Sequence, residues 1–205
     1  MKKLVDMKKI FVMAMMMMPL AAVAQDNTWE QTTVVNADQK YLAGAVPEVN
    51  GKVVFSTTIK AEGKSKKQIY ETLLDEMTKM TTEPNQFEQS RITLSDDQNY
   101  KQIVASYQEW LVFKNKPLNL DRTRFFYTII ADIKDGEANV QLTRIHYLYD
   151  EERDPFTYQA EEWITDRYGL NKKQTKLSRV SGKFRRKTID RKDYIFNRFT
   201  QLLQK

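Results

Sequence analysis

Residues 122–149 constrain the fold most strongly, because they have the pattern of two long strands joined by one tight turn. The first strand places its apolar residues at alternate positions: Phe125, Tyr127, Ile129, Ala131 and Ile133. Such alternation is typical of a strand with one buried face, since successive side chains point to opposite faces of a sheet. Asp135-Gly136 follows, and this dipeptide favours a type I′ hairpin turn, which needs a positive φ at both central residues. We therefore predict a hairpin in the middle of an antiparallel sheet.

The second strand of this hairpin changes the parity of its apolar residues partway along. Ala138, Val140 and Leu142 share one parity, whereas Ile145, Tyr147 and Tyr149 share the other. One extra residue near Thr143-Arg144 would produce this change, so a β-bulge is predicted there. The alternative is a regular strand with both faces partly covered at that end.

The N-terminus has the pattern of a secretory signal peptide. Met-Lys-Lys occurs at Met1 and again at Met7, an apolar run covers residues 10–20, and Ala-Val-Ala follows at 22–24. A basic segment, a short apolar segment and an A-x-A site predict cleavage after Ala24. The apolar run is shorter than the ~20 residues that a membrane span needs, which argues against an uncleaved anchor. We therefore expect an exported protein, periplasmic or extracellular, with no transmembrane span in the mature chain. Either methionine is a candidate start, and because no Cys follows the cleavage site the protein is not expected to be an acylated lipoprotein.

Charge is distributed unevenly along the chain. The formal net charge is +6, and it falls to +3 for residues 25–205. Residues 170–205 carry a net charge of +10, against −7 for residues 25–169. A basic segment of this kind is most often a solvated face, and residues 170–205 can pair with the acidic residues of 25–169. The residues that would otherwise form one face for an anionic partner are Lys172, Lys173, Lys176, Arg179, Arg185 and Arg186. An anionic lipid or a glycan of the envelope is then the expected partner, with an envelope protein as the other option, and no specific binding of nucleic acid is expected.

The chain divides into three parts. Residues 1–24 are the predicted signal peptide, and residues 25–47 are interpreted as a linker or N-terminal arm, because they are polar and weakly patterned. Residues 48–205 are predicted to form a single domain. The candidate anchors of the arm on this domain are Tyr41, Leu42 and Val46.

The first half of the domain alternates between strand and helix signals. Residues 53–59 have the alternation of a strand. Ser65 and Gln68 have the spacing of a capping box, which predicts a helix that begins there. Further strands are predicted near residues 92–94 and 103–107, and residues 110–113 either continue the second of these or form a separate piece. Residues 114–121 are expected to be a loop.

Two helices are predicted after the central hairpin. The first is capped by Thr157 and ends at Gly169. The second begins at Asp190, and its apolar residues recur at helical spacing: Ile195, Phe199 and Leu202. The predicted fold class is therefore α+β, a two-layer sandwich of order β-α-β(4)-α, with an antiparallel sheet and helices gathered on one face.

Several short motifs resemble those of a family of exported Bacteroidota proteins of unknown function with a TATA-binding-protein-like (TBP-like) fold. They are Val-Pro at 46–47, Asn-Gly-Lys-Val-Val-Phe at 50–55, Ala-Glu-Glu-Trp-Ile at 160–164, and Lys-Phe-Arg at 183–185 with Lys-Thr-Ile-Asp at 187–190. The resemblance covers the chain from about Val46 onwards. It implies the TBP-like fold and export. It adds nothing about mechanism, and the fold label by itself does not imply DNA binding. The same topology is shared with helix-grip proteins, which hold apolar ligands between a curved sheet and a C-terminal helix.

Motifs for catalysis, cofactors and metals are not found in the sequence. There is no Cys, and the single histidine, His146, lies in a strand without a serine elbow, so we interpret it as a satisfied strand histidine. The glycines lack phosphate-loop spacing. Acidic residues at 96–97 and 150–154 are weak candidates for Ca²⁺, because neither has EF-hand spacing. No catalytic, cofactor or metal residue is therefore predicted.

Three functions remain open from the sequence. The first is an exported, non-catalytic binding domain, and the second is a helix-grip carrier of a small apolar ligand. The third is a hydrolase that uses carboxylate chemistry. For the carrier, the candidate cavity-lining residues are Tyr107, Phe125, Tyr127, Tyr147, Tyr149, Phe196 and Phe199. Because large aromatic and Met side chains fill irregular spaces, we expect a filled core and favour the binding domain.

Overall fold

The structure is a computed structural model that describes residues 26–30 and 39–205. The predicted signal peptide and its cleavage site lie outside the described residues. Within the described part of the chain, no helix is long and apolar enough to cross a bilayer.

The domain contains eight strands and three α-helices in the described residues, in an α+β arrangement. The strands are β1 Glu48–Val49, β2 Lys52–Val53, β3 Phe55–Lys60, β4 Arg91–Ser95, β5 Gln102–Lys116, β6 Asn119–Lys134, β7 Glu137–Tyr149 and β8 Phe156–Gln159. The helices are α1 Lys66–Met80, α2 Asp166–Gly169 and α3 Gly182–Leu203. Single 3₁₀ turns occur at Gln39–Tyr41 and Ala160–Glu162.

One antiparallel sheet forms the body of the domain, with the strand order β3-β7-β6-β5-β4. The central hairpin β6–β7 is confirmed and lies in the middle of this sheet. Strand β8 pairs with the end of β7, beyond the part that pairs with β3. The β1–β2 hairpin is a separate two-stranded sheet. The predicted order β-α-β(4)-α is thus confirmed, with β1, β2 and β8 added to it.

The β-bulge predicted in the second strand of the hairpin is present in β7. Thr128 pairs with Thr143 and Phe126 pairs with His146, so two residues of β7 face the single Tyr127. Arg144 occupies the extra position with φ 54°. The bulge therefore returns Ile145 and the residues after it to the buried face of the sheet.

The turn between β6 and β7 differs from the prediction in type. Only Gly136 has a positive φ, of 74°, so the turn is not type I′. Contacts with the start of α1 fix it instead. The Asp135 carboxylate accepts the Lys66 N–H at 2.8 Å, and the Gly136 N–H donates to the Lys64 carbonyl at 3.0 Å.

Helices α1 and α3 cover one face of the sheet and enclose the core between them and the strands. Helix α1 begins with the predicted capping box. The Ser65 hydroxyl oxygen accepts the Gln68 backbone N–H, and the Gln68 side-chain oxygen accepts the Ser65 backbone N–H. Its apolar stripe is buried and consists of Ile69, Leu73, Met77 and Met80. Alternate residues of β5, β6 and β7 form the other wall of the core. The opposite face of the sheet is partly exposed.

Residues 114–121 are not the predicted loop. Strands β5 and β6 continue through them and pair as far as Lys116 with Asn119, so that only Pro117 and Leu118 form the turn. Leu118 has φ 62° and is fully exposed at the tip of this hairpin. The cross-strand pairing resumes after a bulge at Phe113, and this is why the strands extend beyond the apolar pattern.

The helix predicted from Thr157 to Gly169 is also wrong. Residues 156–159 pair with the free edge of β7 as strand β8, and a helix could not satisfy those backbone groups. Only the short helix α2 remains before Gly169. The last helix begins eight residues earlier than predicted, at Gly182, and Asp190 lies inside it. Its buried stripe ends on Leu203, whereas Leu202 is half-buried.

Both described parts of the predicted arm pack against the domain. The side-chain amide of Asn27 pairs with the backbone of β5 in the way that a neighbouring strand would. Its Nδ2 donates to the Val112 carbonyl at 2.7 Å, and its Oδ1 accepts the Val112 N–H at 3.0 Å. Trp29, Tyr41 and Val46 belong to the core cluster. The packed unit therefore includes residues upstream of position 48.

Candidate functional site

The proposed ligand cavity between the sheet and α3 is occupied by the aromatic side chains that were expected to line it. Tyr107, Phe125, Tyr127, Tyr147 and Phe199 are at most 2% exposed, and Phe196 is 9% exposed. Tyr149, at the end of β7, is half-buried against the same cluster. All seven residues pack into the core.

Four of these rings form a continuous stack across the sheet. The ring centroids are 5.1 Å apart for Tyr107 and Tyr127, 4.7 Å for Tyr127 and Phe125, and 5.5 Å for Phe125 and Tyr147. Phe184 of α3 meets the Tyr147 ring edge-on at 5.1 Å. These separations are normal contact distances for aromatic pairs, so the rings themselves fill the space.

The hydroxyls of two buried tyrosines, Tyr107 and Tyr147, are hydrogen-bonded within the core. The Tyr107 hydroxyl donates to the Met77 carbonyl at 2.8 Å, and the hydroxyls of Tyr147 and Thr188 share a hydrogen bond at 2.7 Å. Burial raises the pKa of Tyr107 and Tyr147 well above the usual value. Both phenols therefore stay protonated at neutral pH.

A buried ionic cluster joins α3 to β5 and to the loop after α1. Arg191 Nε donates to Glu109 Oε1 at 2.8 Å, and Arg191 Nη2 donates to Glu83 Oε2 at 3.0 Å. The second Glu109 oxygen accepts from Gln86 at 2.8 Å, and Arg198 pairs with Glu83. Arg191 and Glu109 are 0% and 1% exposed.

The opposite charges of this cluster pair with each other, although Arg191 Nη1 has no hydrogen-bond partner in the described residues. Burial raises the pKa of Glu109, and the Arg191 charge opposes that rise. For Arg191, burial acts to lower the pKa, but Glu109, Tyr127 and Glu83 together outweigh that effect, and the pKa is raised. Both carboxylate oxygens of Glu109 are occupied, so this group is a structural anchor rather than an acid or base for a solute. Sequence reasoning missed it, although the position of Glu109 between the inward residues Tyr107 and Leu111 was a signal.

His146 lies on the partly exposed face of the sheet. Its ring stacks on Phe126, with centroids 4.3 Å apart and planes at 9°. Partial burial lowers the pKa of His146. This environment matches the interpretation as a packed strand histidine, with no serine placed beside it by any described contact.

A cleft of about 130 Å³ lies between the β5–β6 hairpin and the acidic turn after β7. Its carboxylates are engaged by arginines: Glu152 by Arg122 at 3.3 Å, Asp150 by Arg153 at 2.9 Å, and Glu151 by Arg124. The Arg122 guanidinium also lies 3.7 Å over the Trp110 ring. The acidic turn is therefore neutralised within the fold.

The other acidic pair is likewise used locally. Asp96 accepts from the backbone and side chain of Asn99, both at 3.1 Å, and these bonds lower the pKa of Asp96. Asp97 accepts from the Tyr70 hydroxyl at 2.5 Å. Within the described residues, no group of three or more His, Cys, Asp or Glu is arranged to hold a metal ion.

Five of the six basic residues proposed for an anionic partner are exposed. Lys172, Lys173, Lys176 and Arg179 are exposed on the loop before α3, and Arg186 is exposed on α3 itself.

Arg185 does not belong to this face and is a correction, because its side chain is fully buried. Its guanidinium donates to three carbonyls, of Tyr41 at 2.6 Å, Ile164 at 2.7 Å and Leu42 at 2.6 Å. It also donates to the Asp166 carboxylate at 2.7 Å. Arg185 thus fastens residues 41–42 to the domain.

Comparison with known proteins identifies the family. A family model described as "Domain of unknown function (DUF4468) with TBP-like fold" matches residues 55–148. No curated protein matches the chain. The chain is similar to a solved DUF4468 family protein from Bacteroides ovatus, at 43% identity and a TM-score of 0.75, over 82% of this chain and 96% of that one.

A second solved structure shares the fold. It is a TBP-like protein from Parabacteroides distasonis, 18% identical with a TM-score of 0.59, and the match covers 77% of this chain and 96% of that one. The resemblance inferred from the short motifs is confirmed, as is the TBP-like α+β fold. The chain belongs to the DUF4468 family, domains of unknown function with a TBP-like fold.

Proposed function

We propose that the protein is exported and works as a non-catalytic binding domain through its outer surface. The single observation that carries this proposal is the filled space between the sheet and α3. A carrier of a small apolar ligand needs an enclosed volume there, and ligand pockets are typically some 300–1,000 Å³. The stacked rings of Tyr107, Tyr127, Phe125 and Tyr147 occupy that region instead.

The state of the buried carboxylates argues against the hydrolase alternative. A glycosidase-type site needs two carboxylates that face a substrate-accessible cleft. Glu109 is buried and bound by Arg191, and Glu83 is bound by Arg191 and Arg198. Releasing them would leave buried arginine charges unpaired, which is costly.

Export is supported by the sequence alone. The order of basic segment, apolar segment and A-x-A site at residues 22–24 supports cleavage after Ala24 and release of a mature chain from Gln25. N-terminal sequencing of the periplasmic or secreted protein tests this. An intact methionine-rich N-terminus in the membrane fraction would contradict it.

The surface function is tested by titrating the native mature chain with an apolar fluorescent reporter. We expect no saturable binding between the sheet and α3, because the aromatic side chains fill that space. Phe199→Ala is the positive control: it removes a fully buried ring from α3 and should open an apolar cavity that binds the reporter, provided that circular dichroism shows the variant folded. Saturable one-site binding to the unsubstituted protein, lost in Phe196→Trp, would favour the carrier instead.

The partner of the surface is proposed to be an envelope component: a protein, a glycan or an anionic lipid. Specific nucleic-acid binding is not part of the proposal, since the basic residues are interspersed with acidic ones over most of the chain. A titration with duplex DNA at about 0.15 M salt, where charges are screened beyond about 8 Å, tests this point. Tight, sequence-dependent binding would contradict it.

A further inference from the structure

The segment between Asp166 and α3 contains a run of cations that no acidic residue interrupts. We call residues 167–180, which comprise the end of α2 and the loop after it, the basic loop. Its cations are Arg167, Lys172, Lys173, Lys176 and Arg179, and residues 167–180 contain no Asp or Glu. All five side chains are exposed. The loop therefore concentrates five positive charges in one short exposed segment.

Four of these cations have no ion-pair partner in the part of the chain that the structure describes. On the helix that follows the loop, α3, Lys183 pairs with Asp121 and Lys187 pairs with Glu30. In contrast, no ion pair within the described residues involves Lys172, Lys173 or Lys176, and the same holds for Arg179. The positive potential of the basic loop is therefore directed outwards to solvent.

The basic loop is ordered by its own hydrogen bonds. The Asn171 N–H donates to the Lys176 carbonyl at 2.9 Å, and Leu170 pairs with Leu177 as an antiparallel bridge. The Asn171 side-chain oxygen accepts the N–H groups of Thr175 at 2.9 Å and Lys176 at 3.2 Å. The cations are thus presented on a closed turn, which lowers the entropy lost when they meet a partner.

The base of the loop is held against the domain. Leu170 is 5% exposed, and Leu177 packs so close to Gly182 that a Cβ there would lie 2.8 Å from the Leu177 Cβ. The Ser181 hydroxyl donates to the Tyr168 carbonyl at 2.5 Å, which joins the two ends of the loop. The loop therefore projects from a fixed base.

Two exposed apolar side chains lie at the joined ends of the basic loop. Val180 is 61% exposed and Tyr168 is 41% exposed. A surface that combines lysines with an exposed aliphatic and an aromatic residue has the chemistry of a bilayer interface, where cations meet anionic headgroups and apolar groups enter the headgroup region.

We infer that the basic loop binds the surface of an anionic phospholipid bilayer. The inference deepens the proposed surface function by naming the partner, and it rests on the proposed export. A discrete anion fits less well, because lysines on a projecting turn are separate point charges, without the convergent arginine forks that recognise one phosphate. The cleft beside the acidic turn, moreover, is lined by residues outside the loop.

Vesicle co-sedimentation of the mature chain tests the inference. The vesicles are phosphatidylcholine containing phosphatidylglycerol, or phosphatidylcholine alone. We expect binding to the anionic vesicles only. Raising the salt from about 0.1 M to about 1 M, which shortens the Debye length from about 10 Å to about 3 Å, should release the protein.

The decisive variant replaces the four loop cations after Arg167 with glutamine: Lys172→Gln, Lys173→Gln, Lys176→Gln and Arg179→Gln. Affinity for anionic vesicles should fall by about two orders of magnitude or more, since each basic residue near the surface contributes about fivefold. The matched control removes the same charge from dispersed exposed lysines: Lys52→Gln, Lys101→Gln, Lys114→Gln and Lys116→Gln. It should retain most of the binding.

Val180→Ser separates interfacial insertion from pure charge attraction. It keeps every charge, and we expect it to weaken binding severalfold. Failure of the unsubstituted protein to bind anionic vesicles, or equal loss in the loop variant and the matched control, would overturn the inference. The reporter titration described above is independent of this result, so the two proposals fail separately.

Discussion

The ionic pair of Arg191 and Glu109 provides the sharpest test of how α3 is attached to the sheet. The residues are 82 positions apart in the chain and meet at 2.8 Å in the interior. Arg191→Met removes the cation and keeps an unbranched apolar side chain in place of the aliphatic part of the arginine. It leaves Glu109 with one hydrogen bond, from Gln86, and no compensating charge.

The magnitude follows from the burial of both partners. Removing one member of a fully buried pair typically costs about 3–5 kcal/mol, because the other charge stays desolvated. A domain of this size is stable by roughly 5–15 kcal/mol, so Arg191→Met should be folded but clearly weakened. Glu109→Gln should also destabilise the protein, and combining the two substitutions should cost at least about 1 kcal/mol less than their sum.

The pH dependence gives a second signature. The pKa of Glu109 is raised in the folded protein by burial, and without Arg191 nothing of comparable strength opposes that rise. A carboxyl group with a raised folded pKa favours the folded state when it is protonated, and this contribution is lost as pH rises through the folded pKa. The deficit of Arg191→Met should therefore shrink as pH falls from about 7 to about 5. Glu109→Gln should show no such recovery.

Urea unfolding of the parent, the two single variants and the double variant measures these quantities. Coupling of at least about 1 kcal/mol, together with the pH recovery of Arg191→Met alone, is the expected result. Strictly additive effects, with both single variants within about 0.5 kcal/mol of the parent, would refute the structural role of the pair.

Three further predictions concern the core, a close contact and alkaline pH. Phe199→Asp, at 0% exposure, should unfold the domain or nearly so, whereas the exposed Gln201→Asp should be mild; equal melting temperatures would show that α3 is not packed. Gly169→Ala should cost roughly 1–3 kcal/mol, because its Cβ would lie 2.7 Å from the Ile164 carbonyl oxygen, and an unchanged urea midpoint would contradict this. Burial and the Asp190 carboxylate raise the pKa of Tyr41 to about 12 from its ordinary 10.0. The contribution of the Tyr41 phenol to folding stability is therefore complete below about pH 10 and is lost as pH rises towards 12. A free energy of unfolding that stays constant across that window would argue against the buried phenol.

Features encoded in local pattern were predictable from the sequence. The alternation of residues 125–133 and the parity change after Leu142 predicted the central hairpin and its bulge. The spacing of Ser65 and Gln68 predicted the start of α1. Each of these signals depends on neighbours within a few residues, which is the range over which propensity and periodicity act.

Features set by tertiary pairing were not predictable in the same way. Strand β8 exists because the end of β7 offers an unpaired edge, whereas Thr157 in the sequence alone suggested the cap of a helix. Asp190 and Asp193 are of the residue type that favours a helix N-terminus. Helix α3 nevertheless begins at Gly182, where the chain packs on Leu177. The Arg185 contacts join residues more than a hundred positions apart, so no local pattern distinguishes this buried arginine from its exposed neighbour Arg186.

The candidate site shows the same division. The aromatic residues named as a cavity lining were correctly placed between the sheet and α3, because strand parity determines which side chains face inwards. Whether those rings leave a gap depends on their mutual packing, which sequence does not specify. The ring separations of 4.7–5.5 Å along the stack from Tyr107 to Tyr147 are ordinary contact distances, which supports a filled interior.

A crystal of the mature chain under xenon pressure tests the filled interior most directly. Xenon enters dry apolar cavities of about 100 Å³ or more and is visible as a strong scatterer. We predict no xenon site between the sheet and α3, and a site in Phe199→Ala crystals as the control. A xenon atom bound among Tyr107, Phe125 and Phe196 in the unsubstituted protein would contradict the account and favour an internal ligand.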